Sequence, residues 1–154
     1  MVRKTILAIV VGLAAGWVFA GPVAAPAAED PREFVELPAM MQDHMLANMR
    51  DHLAAVNEIL DALSKDRIKD AGAIAEKRLG MSSLSLHGAA HMAPFMPERM
   101  QAIGTEMHRA ASRFVTATED ADLAAGAEKR QALFAALHEV TNTCVSCHEA
   151  FRIR

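Results

Sequence analysis

Apolar residues recur at steps of three and four along most of the chain, which is the spacing of one helical face. The first such stripe follows Pro38, a residue that a first helical turn tolerates. It predicts an amphipathic helix of about 25 residues. The stripe consists of Met41, Met45, Met49, His52, Val56, Ile59 and Leu63.

Three further helices are predicted downstream. The second runs from about Asp66 to Leu79, with Gly80 as its end. Residues 81–97 have weaker periodicity and two prolines, so we expect a long connection there. Pro97 opens the third helix, and a fourth begins at about Leu123. Two of these stripes have the 3.5-residue period of antiparallel helices that cross at about 20°. The pattern therefore predicts an all-α protein, an antiparallel four-helix bundle.

Composition narrows the function classes. The 154 residues fit one domain, and a formal net charge of −3 offers no basic field for a nucleic-acid backbone, so no nucleic-acid partner is expected. An aromatic content of 5% without tyrosine fits poorly with a β-sandwich. Two cysteines cannot form a disulfide framework.

The N-terminus has the pattern of an export signal. Arg3 and Lys4 precede an apolar run of residues 5–20, and small residues allow cleavage after Ala20 or Ala27. The run is shorter than the roughly 20 residues that span a bilayer. We therefore expect a signal and linker over 1–27, a mature domain over 28–154, a periplasmic location and no stable membrane insertion. Cleavage after Ala27 removes two basic residues and no acid, which changes the formal charge from −3 to −5.

The motif that carries chemistry is Cys144-Val145-Ser146-Cys147-His148. On a helix these two thiols and the imidazole fall within an arc of about 100°. Two thiols can add across the two vinyl groups of haem, and an adjacent neutral imidazole can bind the iron, so C-x-x-C-H is the attachment signature of c-type haem. The sequence predicts one covalent haem c.

Three other readings of the motif are open on spacing alone. A structural zinc site usually takes two such cysteine pairs, and only one is present. A redox dithiol typically sits at a helix start near a βαβ pattern, whereas this motif is near a helix end. A disulfide between Cys144 and Cys147 would leave His148 without a role.

The C-terminal ending resembles that of class II c-type cytochromes, the group that includes cytochrome c prime. Cys144, Cys147, His148, Phe151 and Arg152 match its Cys-x-x-Cys-His-x-x-(Phe/Tyr)-Arg ending. The resemblance implies a four-helix bundle around the haem, with Cys144 and Cys147 as thioether anchors and His148 as the proximal iron ligand. It also allows a homodimer through the first two helices. For Arg152 two expectations are open, pairing with a haem propionate or a solvated position at the surface.

The resemblance makes the sixth iron ligand the functional question. Low-spin members of the family place a methionine of the first helix on the iron and carry electrons, whereas cytochrome c prime proteins leave that face open and bind small gases. Matching helix ends to the family places Met49, followed by Arg50, at the ligand position, with Met45 as the alternative. Met/His ligation suits electron transfer because no coordination position stays open.

The expected function is thus a periplasmic monohaem electron carrier, not an enzyme, whose partners are redox proteins. The alternative is a five-coordinate haem protein that binds or senses gases. Among the other histidines, His87, His91, His108 and His138 are expected to be half-buried or surface residues. His52, one turn beyond Met49, is the one most suited to a further role.

Overall fold

The computed structural model describes residues 29–123 and 126–154. The predicted signal and linker over 1–27 lie outside the described residues. The chain divides into the unit Met1–Asp30 and the compact unit Pro31–Arg154, and the account below concerns the second. Helices contain 78% of the described residues, which confirms the all-α class. No helix of the described ranges has the length and apolarity needed to cross a membrane.

The first helix, α1, spans Ala39–Ser64 and begins directly after Pro38, as the apolar stripe predicted. The second, α2, spans Ile68–Arg78 and ends where Gly80 donates its N–H to the carbonyl of Ala75. Arg78 ties the end of α2 to α1, because its guanidinium forms ion pairs with Asp51 and with Glu58. Its Nη1 lies 2.7 Å from the Glu58 carboxylate.

The long connection contains more regular structure than its sequence predicted. It forms a 3-10 turn at Met81–Ser83, the four-residue helix α3 at Ala89–Met92 and a second 3-10 turn at Ala93–Phe95. Gly88, which precedes α3, has a φ of +63°, and a Cβ built there would lie 2.9 Å from His44 Nε2. Glycine is therefore required where this loop passes α1.

The last two long helices are α4, Glu98–Leu123, and α5, Ala127–Ala150. The expected start of the fourth helix at Leu123 is wrong, since Leu123 is the last residue of α4. The residues that join the two helices are alanine and glycine. A run of such small residues has no alternation of apolar and polar positions that would mark a boundary.

The larger core cluster joins α1, α2, α4 and α5. Phe114 and Ile59 are completely buried within it, and each contributes roughly 1.5–3 kcal/mol of hydrophobic stabilisation. Small side chains on α1, α2 and α4 allow close approach between the helices. They are Ala55, Ala62, Ala71, Ala75, Ala110 and Ala111.

A short parallel ladder joins the two ends of this unit. Strand β1, Glu33–Phe34, pairs with β2, Phe151–Arg152, which directly follows α5. The pairing continues one residue further, since Val35 donates its N–H to the carbonyl of Arg152 at 2.8 Å. We call residues 31–37 the strap. Val35 and Leu37 anchor it in a smaller core cluster that also contains Met45, Met92, Met100 and Phe151.

Candidate cofactor site

The C-x-x-C-H motif lies on the last turns of α5, beside a cavity of about 350 Å³ that we call the first cavity. Cys147 and His148 line this cavity, with His148 exposed at its edge. Cys144, one turn earlier, packs against the larger core cluster instead and is not among the residues that line the space. The structure thus brings two of the three predicted motif residues to one cavity.

Both predicted iron ligands of α1 face the same cavity. Met45 is buried and Met49 half-buried, and both line the space beside Cys147 and His148. Met40, at the start of α1, is 74% exposed and lies away from the cavity. On α1 the thioethers that line the cavity are the two that the sequence indicated, one helical turn apart, and Met96 and Met100 line it from other elements.

A second cavity of about 290 Å³ shares residues with the first. Met45, Met49, Met96 and Gly104 line both, so the two cavities border one another inside the protein. Each is close to the lower end of the 300–1,000 Å³ typical of cofactor pockets, and together they lie within that range. Their lining is mainly apolar, as suits an aromatic ring system.

Gly104 lines both cavities from α4. It lies in the interior of α4, where glycine costs roughly 1 kcal/mol relative to alanine. A Cβ built at Gly104 meets no atom within 4 Å. No neighbouring side chain therefore requires a glycine here.

Three arginines line the first cavity: Arg32 of the strap, and Arg152 and Arg154 of the C-terminal segment. Within the part of the chain that the structure describes, no acidic residue lines it. Arg152 stacks on the ring of Phe34 at 4.9 Å, and Arg32 donates to the main-chain carbonyl of His148 at 3.4 Å. These contacts hold positive charge at the edge of an apolar space, an arrangement that suits a ligand with an apolar body and carboxylate substituents.

The pKa shifts of the two thiols differ from those of a redox pair. Cys144 and Cys147 are not joined in a disulfide. Burial raises the pKa of the Cys144 thiol, and burial together with the nearby charge of Cys144 raises the pKa of the Cys147 thiol. A dithiol oxidoreductase needs the opposite shift, toward a stable thiolate.

Histidines from three elements meet beside the second cavity: His52 of α1, His87 of the connection and His108 of α4. The ring centroids of His52 and His87 are 4.6 Å apart, and those of His87 and His108 are 5.3 Å apart. Burial lowers the pKa of all three, and that of His52 to about 4. The expectation of a half-buried or surface residue is wrong for His108, which is 6% exposed.

Two of these imidazoles have defined partners. His108 Nδ1 lies 2.7 Å from the carbonyl oxygen of Leu79, so Nδ1 carries the proton and Nε2 is left with its lone pair. The carbonyl of His87 accepts hydrogen bonds from Asn48 Nδ2 at 3.0 Å and His44 Nε2 at 2.9 Å. Among the described residues, no three histidine, cysteine or acidic side chains are grouped so as to hold a metal ion.

No family model, curated protein or solved structure matches this chain. The interpretation of the site therefore depends on its own residues. The sequence pattern did not indicate Gly104, Met96, Arg32 or the cluster of His87 and His108. A lone glycine inside a helical stripe is a signal that could have identified Gly104. The other residues come together only through the tertiary fold.

Proposed function

We propose that this chain is a periplasmic monohaem c-type cytochrome that carries electrons between redox proteins. In this proposal α1, α2, α4 and α5 form an antiparallel four-helix bundle like that of the class II cytochromes, and Cys144 and Cys147 anchor the haem. One observation carries it: Cys147 and His148 share an apolar cavity with the two thioethers predicted from sequence, Met49 and Met45. In the proposal His148 is the proximal ligand and Met49 the distal one.

The first cavity and its border with the second suit a haem group. The apolar lining there would exclude water, and Gly104, which lines both cavities, leaves the α4 backbone bare for close contact. Arg32, Arg152 and Arg154 are placed to neutralise carboxylates at the opening. When bound, the haem iron supplies a one-electron couple, and Met/His ligation favours electron transfer.

The protein contributes rigidity to this function. Met49 and Met45 lie in the first half of a helix of 26 residues, while His148 lies on the last turns of α5, whose following residues pair with the strap. Ligands held on both sides in this way change position little when the charge of the iron changes, which lowers the reorganisation that accompanies electron transfer. The carrier has no substrate of its own in this proposal, and its partners are other redox proteins.

The alternative, a five-coordinate haem that binds small gases, is favoured by one observation. The second cavity borders Met49 and Met45 and provides about 290 Å³ of space on their side. A gas molecule could occupy this space if neither thioether bound the iron.

Absorption spectroscopy of the protein purified from periplasm distinguishes the two functions. An electron carrier with Met ligation gives a low-spin spectrum, a weak ferric band near the red end of the visible range, and no reaction of the ferrous form with carbon monoxide. A high-spin spectrum with ready carbon monoxide binding would establish the gas-binding alternative. A protein without covalent haem would refute both functions.

Variants identify the distal ligand. Met49→Ala is expected to convert the spectrum to high spin and open the iron to carbon monoxide. Met45→Ala should leave the spectrum low-spin, and Met40→Ala is the matched control because Met40 lies on the same helix but is exposed. If Met45→Ala alone changes the spin state, the distal ligand is Met45 and the assignment to Met49 is wrong.

A further inference from the structure

The histidine cluster beside the second cavity is not used by the proposed haem function. Its members come from α1, the connection and α4, which are distant from one another in the sequence. His52 and His87 are half-buried, so their ring nitrogens are partly shielded from water. His108 has its partner in the carbonyl of Leu79.

His52 and His87 do not satisfy one another well. His52 Nε2 lies 3.5 Å from His87 Nδ1, beyond the usual 2.7–3.2 Å of a strong hydrogen bond. Two nitrogens bound to one metal ion at about 2.0 Å, with an angle of 120° between the bonds, would lie about 3.5 Å apart. The spacing of this pair therefore matches two ligands of a shared ion.

The protonation state and support of these imidazoles agree with that reading. Burial keeps His52 and His87 neutral at pH 7, so their nitrogen lone pairs are available. His87 is held from behind, because its carbonyl accepts hydrogen bonds from Asn48 and His44 of α1. Asp51, the nearest acidic residue along α1, is paired with Arg78 and adds no free anionic ligand.

The missing third ligand points to the class of metal. The described residues bring no third histidine, cysteine or acidic side chain into a common ligand set, which argues against an ion that requires such a set, such as Zn²⁺. The cavity beside the cluster is instead lined by thioethers, among them the buried Met92 and Met107. Thioether sulfur selects Cu(I), and imidazole also suits copper.

We propose that His52 and His87, together with a thioether of the second cavity, bind one Cu(I) ion. Met92 and Met107 are the candidate thioethers, because neither is assigned to the haem iron. The proposal does not depend on the haem function, since all four residues lie outside the C-x-x-C-H motif and its predicted distal ligands.

Copper retention tests the proposal. The ferrous, full-length mature protein is incubated without oxygen with one equivalent of Cu(I), supplied as its acetonitrile complex, then challenged with bathocuproine disulfonate and passed through gel filtration. Atomic absorption then gives the copper-to-protein ratio. Haem content is measured separately, so loss of haem and loss of copper are distinguished. Any free thiol is first blocked with iodoacetamide, so that it does not bind the copper.

We expect one copper ion per chain. His52→Gln and His87→Gln should each weaken retention about tenfold or more, because each removes a metal ligand. His91→Gln is the matched control, since His91 is exposed and lies four residues beyond His87. Wild-type protein that releases all its copper to the chelator, or variants that keep it as well as wild type does, would overturn the proposal.

Two measurements on the wild-type protein make the test independent of whether the variants fold. Copper X-ray absorption is expected to show both nitrogen and sulfur neighbours, and a shell of nitrogen alone would refute the thioether. A parallel titration with Zn²⁺ is expected to show no tight binding. Stoichiometric Zn²⁺ binding at this cluster would overturn the assignment to Cu(I).

Discussion

The interior of α4 contains a glycine that the protein would be more stable without, unless something occupies the adjacent space. Replacing Gly104 by alanine should raise the free energy of unfolding of the haem-free protein by about 1 kcal/mol, the difference in helix propensity. The added methyl group meets no atom within 4 Å, so no steric cost opposes the gain. For a domain of this size the gain corresponds to roughly 4 °C in Tm.

The holoprotein should respond in the opposite direction. If a haem ring lies against α4, the same methyl group overpacks the contact, which typically costs 1–3 kcal/mol. That cost cancels or exceeds the gain in helix propensity, so we expect the holoprotein to lose about 0–2 kcal/mol. Gly104→Leu, which projects much further into both cavities, should reduce the yield of covalent haem.

Urea unfolding, followed by circular dichroism, measures both effects. The haem-free form is obtained by expressing residues 28–154 without the signal. Ala102→Gly provides the control, because Ala102 is exposed on the same helix and its loss of propensity should destabilise both forms by about 1 kcal/mol. An equal gain from Gly104→Ala in the two forms would show that α4 does not contact the haem, and the cavity would then not be the haem site.

Three further predictions concern stability and use the same urea assay. Arg78→Ala should lower the free energy of unfolding by about 1–2 kcal/mol, because the half-buried Arg78 bridges two acidic residues of α1. Arg113→Ala is the control, since its ion pairs are exposed, and it should cost less than about 1 kcal/mol. Equal costs would refute the role of the bridge. Phe114→Ala should cost about 3–5 kcal/mol, and Phe134→Ala, 54% exposed in the native state, less than about 0.5 kcal/mol. Folding lowers the pKa of His52 from 6.5 to about 4, so the unfolded chain binds a proton first as the pH decreases. The free energy of unfolding should therefore fall between about pH 6.5 and pH 4, by up to about 3 kcal/mol from this group. His52→Gln should flatten the stability profile over that interval, and an unchanged profile would contradict the burial of His52.

Helix positions could be read from the sequence because apolar spacing reports which face of a helix is buried. The bounds of α1 followed from its stripe and from Pro38. The start of α5 did not, because the alanine-rich residues near the junction with α4 are compatible with both helix and turn. Local spacing also gave no indication of the strap, because two-residue strands have no periodicity.

The candidate site could be predicted only where its chemistry is local in sequence. The C-x-x-C-H motif is contained within five residues, and the helical period brings Met45 and Met49 to one face. The arginines around the opening come from both ends of the unit, and the histidine cluster comes from three elements. Those groupings depend on how the helices and the connection pack, which a single sequence does not encode in any short pattern.

The strap also bears on the order of folding. Arg32 and His148, which it brings together, are 116 residues apart in sequence. Contacts between such distant residues close a very large loop and form late, after the local contacts within and between successive helices. The same ladder has few hydrogen bonds, and Phe34 within it is half exposed, so it belongs to the parts of a protein that open first. Amide hydrogen exchange at Val35 should therefore be faster than at Ile59 in the centre of α1, and each such opening would uncover the first cavity while the helices stay folded.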